Sequence, residues 1–517
     1  MKVLQFLIGL VCWGGCKDCP GAGADQKIFG DTAPHVLKIE LGAMETDALK
    51  KHPDQYVRGT VRADGDRFVD VGVHLKGRST FLPLGEKPNF AIKFNKYKSG
   101  QDYHGLTKIL LNNSIKDKSY LREMLASDLY RRAGVPAARV AHARVELNGR
   151  DLGLYVLVEG MNRVFLKQYF ADSEGSLYEG TGQDIDGNLE RDGGAENGQS
   201  DVKALLAVTK EKDSEKRWRA LQNVLDLKRF LSFLAMETLT CHWDGYAQNR
   251  NNYRMYQDPG PNRMVLMPHG LDETFNSSEV WLMPEIFTVL VKAVLQTEQG
   301  RLLYRKRLSE LFDQSFDVEV LTNRIEKQLQ KLVSVAHGQT EVQGLSREAG
   351  LLRTQIVFQA KAMAGLLAAP ELPVLEFDPS GIGVPVGWKA VGQKGKNHLD
   401  RPKEGGRLIL HIGSGDQVCM ASWRARVVLN PGRFRFSGRI RTSGVKPQSG
   451  IGAAGAALYI TGDMRKTSLV GDTPWTEYHR DFVIEGGLLE FELICELRAN
   501  GGEAWFDLES LHLEKLK

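Results

Sequence analysis

Two aspartates and a run of asparagines are crowded into residues 242–275, HWDGYAQNRNNYRMYQDPGPNRMVLMPHGLDETF. Asp244 is followed five residues later by Asn249, with Asn252 just beyond, and Asp272 comes after a short strand, Met264–Met267. Moving the terminal phosphoryl group of a nucleotide needs three oxygen groups in this order. A carboxylate orients the attacking hydroxyl and accepts its proton, an amide oxygen five residues on meets a magnesium ion, and a second carboxylate beyond a β-hairpin bridges the metal. Magnesium takes hard oxygen ligands and few of them from protein, so one or two carboxylates and an amide suffice. Asx side chains before a hairpin also cap turns through their own hydrogen bonds. Any one of these residues fits that use; the ordered set points to phosphate and metal.

The elements upstream must hold those groups. From His35 to Phe94 the pattern is mostly strand: HVLKIEL alternates, TVRADGDRFVDVGVHLKG reads as a hairpin turning at residues 63–66, and NFAIKF alternates again with Lys93. An ammonium on a strand facing a cleft is one way to hold inner phosphates, which makes Lys93 a candidate. The bend at Gly77-Arg78-Ser79-Thr80 offers backbone N–H groups and the Arg78 guanidinium to a phosphate, although a surface loop between hairpins reads the same way. A helix then runs from near Ser119, with Leu121, Leu125 and Leu129 on one side, and stops at Gly134 before Pro136. Arg122 and Glu123 stand in its first turns, Glu123 as the partner of Lys93.

The strands ARVELNG and LGLYVLVEG are joined by Asn148-Gly149-Arg150-Asp151, a hairpin signal, and the second ends at Glu159-Gly160, where a backbone that reads a nucleotide base belongs. Residues 182–201, GQDIDGNLERDGGAENGQSD, read as a flexible acidic loop; DIDGN lacks the glycine and glutamate positions of a calcium loop. SEKRWRALQNVLDLKRFLSFLAMETLT is helical and runs directly into the aspartate segment, and residues 283–368 are helical again with periodic leucines.

The chain opens with Met1, Lys2 and an apolar run of 11 residues, VLQFLIGLVCW. That is shorter than the ~20 residues that span a bilayer and fits a signal-peptide core, so residues 1–24 are expected to be a signal peptide and the mature protein extracytoplasmic, secreted or periplasmic. Cys16 after Gly14-Gly15 is a minority option as a lipid-attachment site, because Trp13 stands where an aliphatic residue is expected. The body keeps Cys241, Cys419 and Cys495, which imply no disulfide framework, with Cys419 and Cys495 left as a pair to test. A formal charge of +4 over 517 residues gives no concentrated basic face for nucleic acid, and no second apolar run suggests a transmembrane segment once the signal is removed.

Residues 70–275 resemble the CotH kinase family, secreted or spore-coat proteins with a reduced, atypical protein-kinase fold. The matching pieces are LKGRST, NFAIKF, the SYLRE helix, LNGRDLGLYVLVEGMN, SLYEG, HWDGYAQNRNNYRMY and MPHGLDETF. The resemblance implies ATP-dependent phosphorylation of protein Ser/Thr with Mg or Mn. Carried over by position, Asp244 resembles the catalytic aspartate, Asp272 the metal-binding one, and Asn249 or Asn252 the amide ligand. Lys93 and Arg78 resemble phosphate contacts. Arg122 marks the helix in the family, which favours it over Glu123 as the nucleotide contact.

After Pro370 the texture changes to short alternating segments separated by Gly-rich turns, the pattern of a β-sandwich of jelly-roll type. This part resembles the carbohydrate-binding modules of secreted enzymes; Trp423, Trp475, Trp505 and Tyr478 are the residues for stacking on sugar rings, against the plainer use of sandwich tryptophans as core. The expected architecture is therefore multidomain α+β: a kinase-like bilobal domain over 30–369, then an all-β jelly-roll sandwich over 370–517 with a possible glycan ligand. Two other functions stay open. One is a kinase-like scaffold for surfaces or matrix without catalysis. The other is a glycan-processing enzyme with Asp244 and Asp272 as paired carboxylates ~5 to 10 Å apart in an aromatic groove.

Overall fold

The computed structural model describes residues 27–517 apart from 195–197, 277–279, 284–287, 370–371, 395–396, 416, 448–453, 462–466 and 485–488. The expected signal peptide and Cys16 lie outside the described residues.

Seven strands close into a barrel in the order β1-β2-β3-β4-β5-β7-β6: β1 (His35–Glu40), β2 (Val57–Ala63), β3 (Asp66–Lys76), β4 (Asn89–Lys93), β5 (Lys108–Asn112), β6 (Val140–Leu147) and β7 (Arg150–Glu159). Only β1 with β6 is parallel. The two hairpin turns read from sequence form where glycine and Asx residues tolerate positive φ: Asp64 at 50° and Gly65 at 98°, Asn148 at 48° and Gly149 at 82°. Strand alternation then divides the barrel residues between two cores. Val73, Leu75, Phe90, Ile92, Ile109, Leu111, Tyr155 and Leu157 fill the barrel, while Ala91, Leu110, Leu154, Val156 and Val158 point outward into the larger core of the helical body. The outward face that carries Ala91 and Leu110 also carries Lys76, Asn89 and Asn112 at one end, where Lys76 pairs with Asn89, and Lys93 and Lys108 at the other, where they pair with each other.

Helix α1 (Arg122–Arg132) leaves β5 through a turn in which Asp117 accepts the N–H groups of Ser119 at 3.0 Å and Arg122 at 2.9 Å. Helix α2 (Leu227–Leu239) is started by Asp226, which accepts from Arg229 N–H. It delivers a loop and the single turn α3 (Tyr246–Asn249). A second sheet of order β11-β10-β8-β9 follows, built from β8 (Leu177–Gly180), β9 (Glu190–Gly193), β10 (Tyr253–Asp258) and β11 (Arg263–Pro268). Tyr253 sits opposite both Pro268 and Gly180. The hairpin thus brings the loop after α3, the loop after β11 and Thr181 to one edge. Residues 182–194 are not the flexible loop expected from their composition. Asp184 is buried and accepts from Tyr246 Oη at 2.8 Å and Val289 N–H at 2.8 Å, and β9 completes the sheet, with Asp192 paired to Arg254 at 2.5 Å. Long helices α4 (Glu298–Ser315), α5 (Val318–Ser334) and α6 (Gly338–Ala368) finish the helical body.

Residues 382–516 form two antiparallel sheets over one separate core. The larger contains β12 (Ile382–Gly383), β14 (His398–Asp400), β15 (Lys403–Glu404), β16 (Arg407–Gly413), β18 (Gly432–Val445), β20 (Gly471–Ile484), β22 (Glu503–Asp507) and β23 (His512–Leu516). The smaller contains β13 (Lys389–Lys394), β17 (Cys419–Leu429), β19 (Gly455–Ile460) and β21 (Leu489–Ala499). Cys419 and Cys495 are free. Cys419 faces Ala499 and Cys495 faces Trp423 across the β17–β21 ladder, an offset of four residues or ~13 Å, about twice what a disulfide spans. Among the described residues no helix is long and apolar enough to cross a membrane.

The N-terminal segment is pinned to the barrel by a polar knot in which His35 and Tyr103 are buried and Asp64 is exposed. His35 hydrogen-bonds Asp64 through Nδ1 at 2.6 Å and the Ile28 carbonyl through Nε2 at 2.9 Å, and Tyr103 donates to the same carboxylate at 2.6 Å. Burial pulls the His35 pKa down, but the bonds to Asp64 and Ile28 outweigh it and raise it. Burial pushes Asp64 up, yet its three donors bring it down to about 2. A raised histidine stabilises fully below its unfolded pKa of ~6.5 and loses that contribution as pH climbs through the folded value; a depressed aspartate stabilises above ~3.9 and loses it as pH falls toward 2. The expected result is that His35→Gln lowers the melting temperature more at pH 5.5 than at pH 8.5, read by thermal unfolding of both proteins. Equal losses at the two pH values would contradict it.

Candidate active site

The two loops at the hairpin edge face the end of the barrel that carries Lys76. Between them lies a cavity of about 360 Å³ lined by Lys76, Arg78, Glu179, Asp244, Asn252 and Asp272 among others. No Phe, Tyr or Trp is among the described residues that line it.

Asp244 is held by amides. Asn249 Nδ2 donates to Oδ1, Asn251 Nδ2 reaches both oxygens at 3.2 and 3.1 Å, and Asn252 Nδ2 donates to Oδ2 at 2.7 Å and to the Asp244 carbonyl at 3.1 Å. These bonds leave the amide oxygens of Asn249 and Asn252 facing away from the carboxylate. Asn251 spends its own oxygen on Gly182 N–H at 3.2 Å, which ties the aspartate loop to the loop after β8. Asn252 has φ 49° and Gly270 φ 55°; a Cβ on Gly270 would stand 2.5 Å from Asn252 Oδ1, so a glycine there lets the two loops close on each other. Asn249 itself is exposed and lies outside the cavity lining.

Lys76 is the lysine of this site. Its Nζ donates to Asn112 Oδ1 at 2.5 Å, and Asn112 Nδ2 donates to Glu123 Oε2 at 2.8 Å. Burial lowers the Lys76 pKa, opposed by the carboxylates of Glu123 and Asp272. Burial first, and the Asp272 charge next, push Glu123 up to about 7. Asp272 is raised by burial as well, with Asp117 and Asp244 adding and Lys76 opposing. A cation and a group of carboxylates thus share one half-buried corner, where charges act more strongly on a phosphate or metal than they would in bulk water.

Lys93 is on the predicted strand and the predicted face but at its wrong end. It lies four residues from Asn89, ~13 Å along β4, opposite Gly72 and Lys108 and outside the lining. Strand parity puts Lys93 and Lys76 on one face, and only the register decides which reaches the cleft. Arg78 lines the cavity and is exposed on a bend whose Thr80 accepts from Asn89 and Asn113. Arg122 is not in the lining either. It pairs with Asp117 at 3.4 Å, donates to the Thr274 carbonyl and reaches Gln355 at 2.8 Å, so it fastens the stretch after Asp272 from behind. Glu159 is buried in an ion pair with Arg139 at 2.6 Å and also accepts from Gln168. Its N–H donates to Arg139 O, and Gly160 N–H to Lys108 O, so these two donors belong to the fold.

Lys76 stood in the quoted LKGRST, and Asn112 in KILLNN, whose apolar run hid a strand with a polar end. Glu179 and Glu273 join the same cavity and carried no signal in spacing. Among the described residues no cluster of three or more His, Cys, Asp or Glu forms a metal site by itself. The donor set fits a magnesium-type ion that takes its remaining oxygens from phosphate: Asp272 and the amide of Asn252 line one cavity rich in carboxylates.

In the sandwich, Trp423 is buried with its indole N–H on the His411 carbonyl at 3.0 Å. Trp505 has Arg441 4.4 Å over its ring and His411 stacked at 5.0 Å. These partners come from β18 and β16, the strands on either side of β22, so both ring faces are covered. Tyr478 packs against the core and donates to Thr467 O at 2.8 Å. Trp475, with Arg441 at 5.1 Å, is the remaining candidate for a sugar.

The model of the CotH kinase protein family matches residues 73–351. Among curated proteins, Invasin CotH2 of Rhizopus delemar is 24% identical over 347 residues, 59% of this chain and 57% of that protein. Inner spore coat protein H of Bacillus subtilis is 22% identical over 284 residues, 50% of this chain and 75% of that one. The chain spans a little over half the length of the invasin it matches. Of solved structures, the Helicobacter pylori proinflammatory kinase CtkA is 8% identical over 57% of this chain and 98% of its own, with a TM-score of 0.28. TmCBM61, solved with beta-1,4-galactotriose, is 18% identical over 25% of this chain and 88% of its own, with a TM-score of 0.19.

Proposed function

The chain belongs to the CotH kinase protein family, and we propose that it transfers the γ-phosphoryl group of ATP to Ser or Thr hydroxyls of a protein acceptor, with Mg²⁺ or Mn²⁺. What supports the reading above all is one cleft that joins Asp244, Asp272 and Lys76, a half-buried lysine linked through Asn112 to Glu123. A lining with no Phe, Tyr or Trp among the described residues favours phosphate over a sugar ring. Asp272 and Asn252 would hold the metal, which when bound neutralises charge on the phosphates.

In this reading Asp244 orients the acceptor hydroxyl and takes its proton. The hydroxyl oxygen forms a bond to the γ-phosphorus, the bond to the β–γ bridging oxygen breaks, and ADP leaves with that electron pair. The asparagines keep the carboxylate aimed, and Lys76 and Arg78 meet the negative oxygens of the triphosphate. We assign transfer to residues 30–369 and read residues 370–517 as an appended sandwich with Trp475 as its candidate sugar contact, in a protein exported by residues 1–24. The test is incubation of the full chain with radiolabelled ATP, Mg²⁺ and dephosphorylated casein, followed by phosphoamino-acid analysis. Label on Ser or Thr supports the reading; no label above a heat-killed control, together with no ADP release, contradicts it and favours a scaffold.

A further inference from the structure

The loop that carries Asp244 is closed at both ends by one buried residue that never reaches the cleft. Glu237 stands in the last turn of α2 and is 5% exposed. Its backbone carbonyl accepts the His242 N–H at 2.9 Å. Its carboxylate accepts the N–H groups of Tyr246 at 2.6 Å and Ala247 at 3.1 Å. These are first-turn donors of α3, which has no cap of its own because its preceding residue is Gly245. Helix N-terminal donors need outside acceptors, and here a neighbouring helix supplies them.

Gly245 makes the approach feasible. A Cβ at that position would lie 2.2 Å from Glu237 Oε1 and 2.8 Å from His242 Nδ1. The same glycine's carbonyl accepts the N–H groups of Asn249 at 3.0 Å and Asn251 at 3.3 Å. Asn249 and Asn251, two of the three asparagines that grip Asp244, are therefore hung from the very turn that Glu237 holds. Asp272 is secured separately, through Phe275 N–H on Thr240 O at 2.6 Å and Arg122 on Thr274 O.

We propose that Glu237 is a positioning residue for phosphoryl transfer: through Gly245 and α3 it sets the asparagine cradle that aims Asp244, without touching nucleotide. This rests on the role given to Asp244 above. It predicts a split between the two halves of the site. Replacing Glu237 with Gln sets an NH₂ group against one of two N–H donors, and Gly245→Ala drives a methyl into the Glu237 carboxyl group while leaving the acid itself in place.

Steady-state kinetics with MgATP and casein should show kcat reduced about 10²-fold in both variants, the cost of a misplacement near 1 Å. The KM for ATP and the MgATP-induced rise in Tm should stay near wild type. Unchanged kcat, or loss of the Tm rise along with kcat, would overturn the proposal. A second measurement does not depend on catalysis: amide hydrogen exchange of Tyr246–Asn251 in Glu237→Gln. Lost protection there with α2 still protected supports the latch, and unchanged protection overturns it even if the wild-type chain transfers no phosphoryl group, the result that would count against the kinase reading instead.

Discussion

Asp244→Asn is expected to cut phosphoryl transfer about 10³-fold while leaving MgATP binding within a few-fold of wild type. A positioned general base contributes ~10²- to 10⁴-fold, and the amide cannot take the proton. The cradle adds to the loss. Both carboxylate oxygens accept from asparagine NH₂ groups in the native site, so an amide at 244 turns one acceptor into a donor among donors and loosens the group that aims the attack. Asp272 and Lys76 are untouched, so binding persists. Single-turnover transfer at saturating ATP separates the steps; a parallel loss of binding would mean that Asp244 holds the metal rather than the proton.

Lys76→Met is expected to reduce transfer about 10²-fold or more, and Lys93→Met to leave it within a few-fold. Removing a preorganised charge from a catalytic site costs roughly 10² to 10³, and Lys76 is the lysine that, among the described residues, lines the cavity and bonds to Asn112. Glu123→Gln should act in the same direction with a smaller effect, because it weakens the Asn112 bridge and not the cation. Kinetics of the three variants at one ATP concentration below KM are enough to rank them. A large effect at Lys93 with none at Lys76 would invert the assignment made from register.

The contrast between these two lysines shows what the sequence could carry. Alternation in NFAIKF and VHLKG specifies the face of each strand, because side chains switch sides with every residue. It cannot specify how far one strand slides against the next, and β3 pairs Lys76 with Asn89 while Lys93 falls beside Lys108. The aspartates were legible for the opposite reason. Asp244, Asn252 and Asp272 lie on either side of one hairpin, so that single local pairing is enough to bring them to one edge. Glu123 was seen as a lysine's partner and then set below Arg122; the helix turn places Glu123 toward Asn112 and sends Arg122 to the Thr274 carbonyl and Gln355. Glu159 sat at the expected end of β7, but its role depends on Arg139, twenty residues away in the chain. The acidic stretch 182–194 misled because composition says nothing of Asp184 reaching Tyr246 or of Asp192 reaching Arg254. In the sandwich, alternation located the strands; that Trp505 is covered on both faces follows only from which strands flank β22.

The most direct measurement of the central claim is thermal unfolding of the full chain with and without ATP and Mg²⁺, beside Asp272→Ala. A ligand at a hundred times its dissociation constant stabilises by ~2.7 kcal/mol, a readily measured rise in Tm. A metal-dependent rise is expected for the wild type and none for Asp272→Ala. No rise in either protein, or an equal rise in both, would contradict a metal–nucleotide site at this cleft.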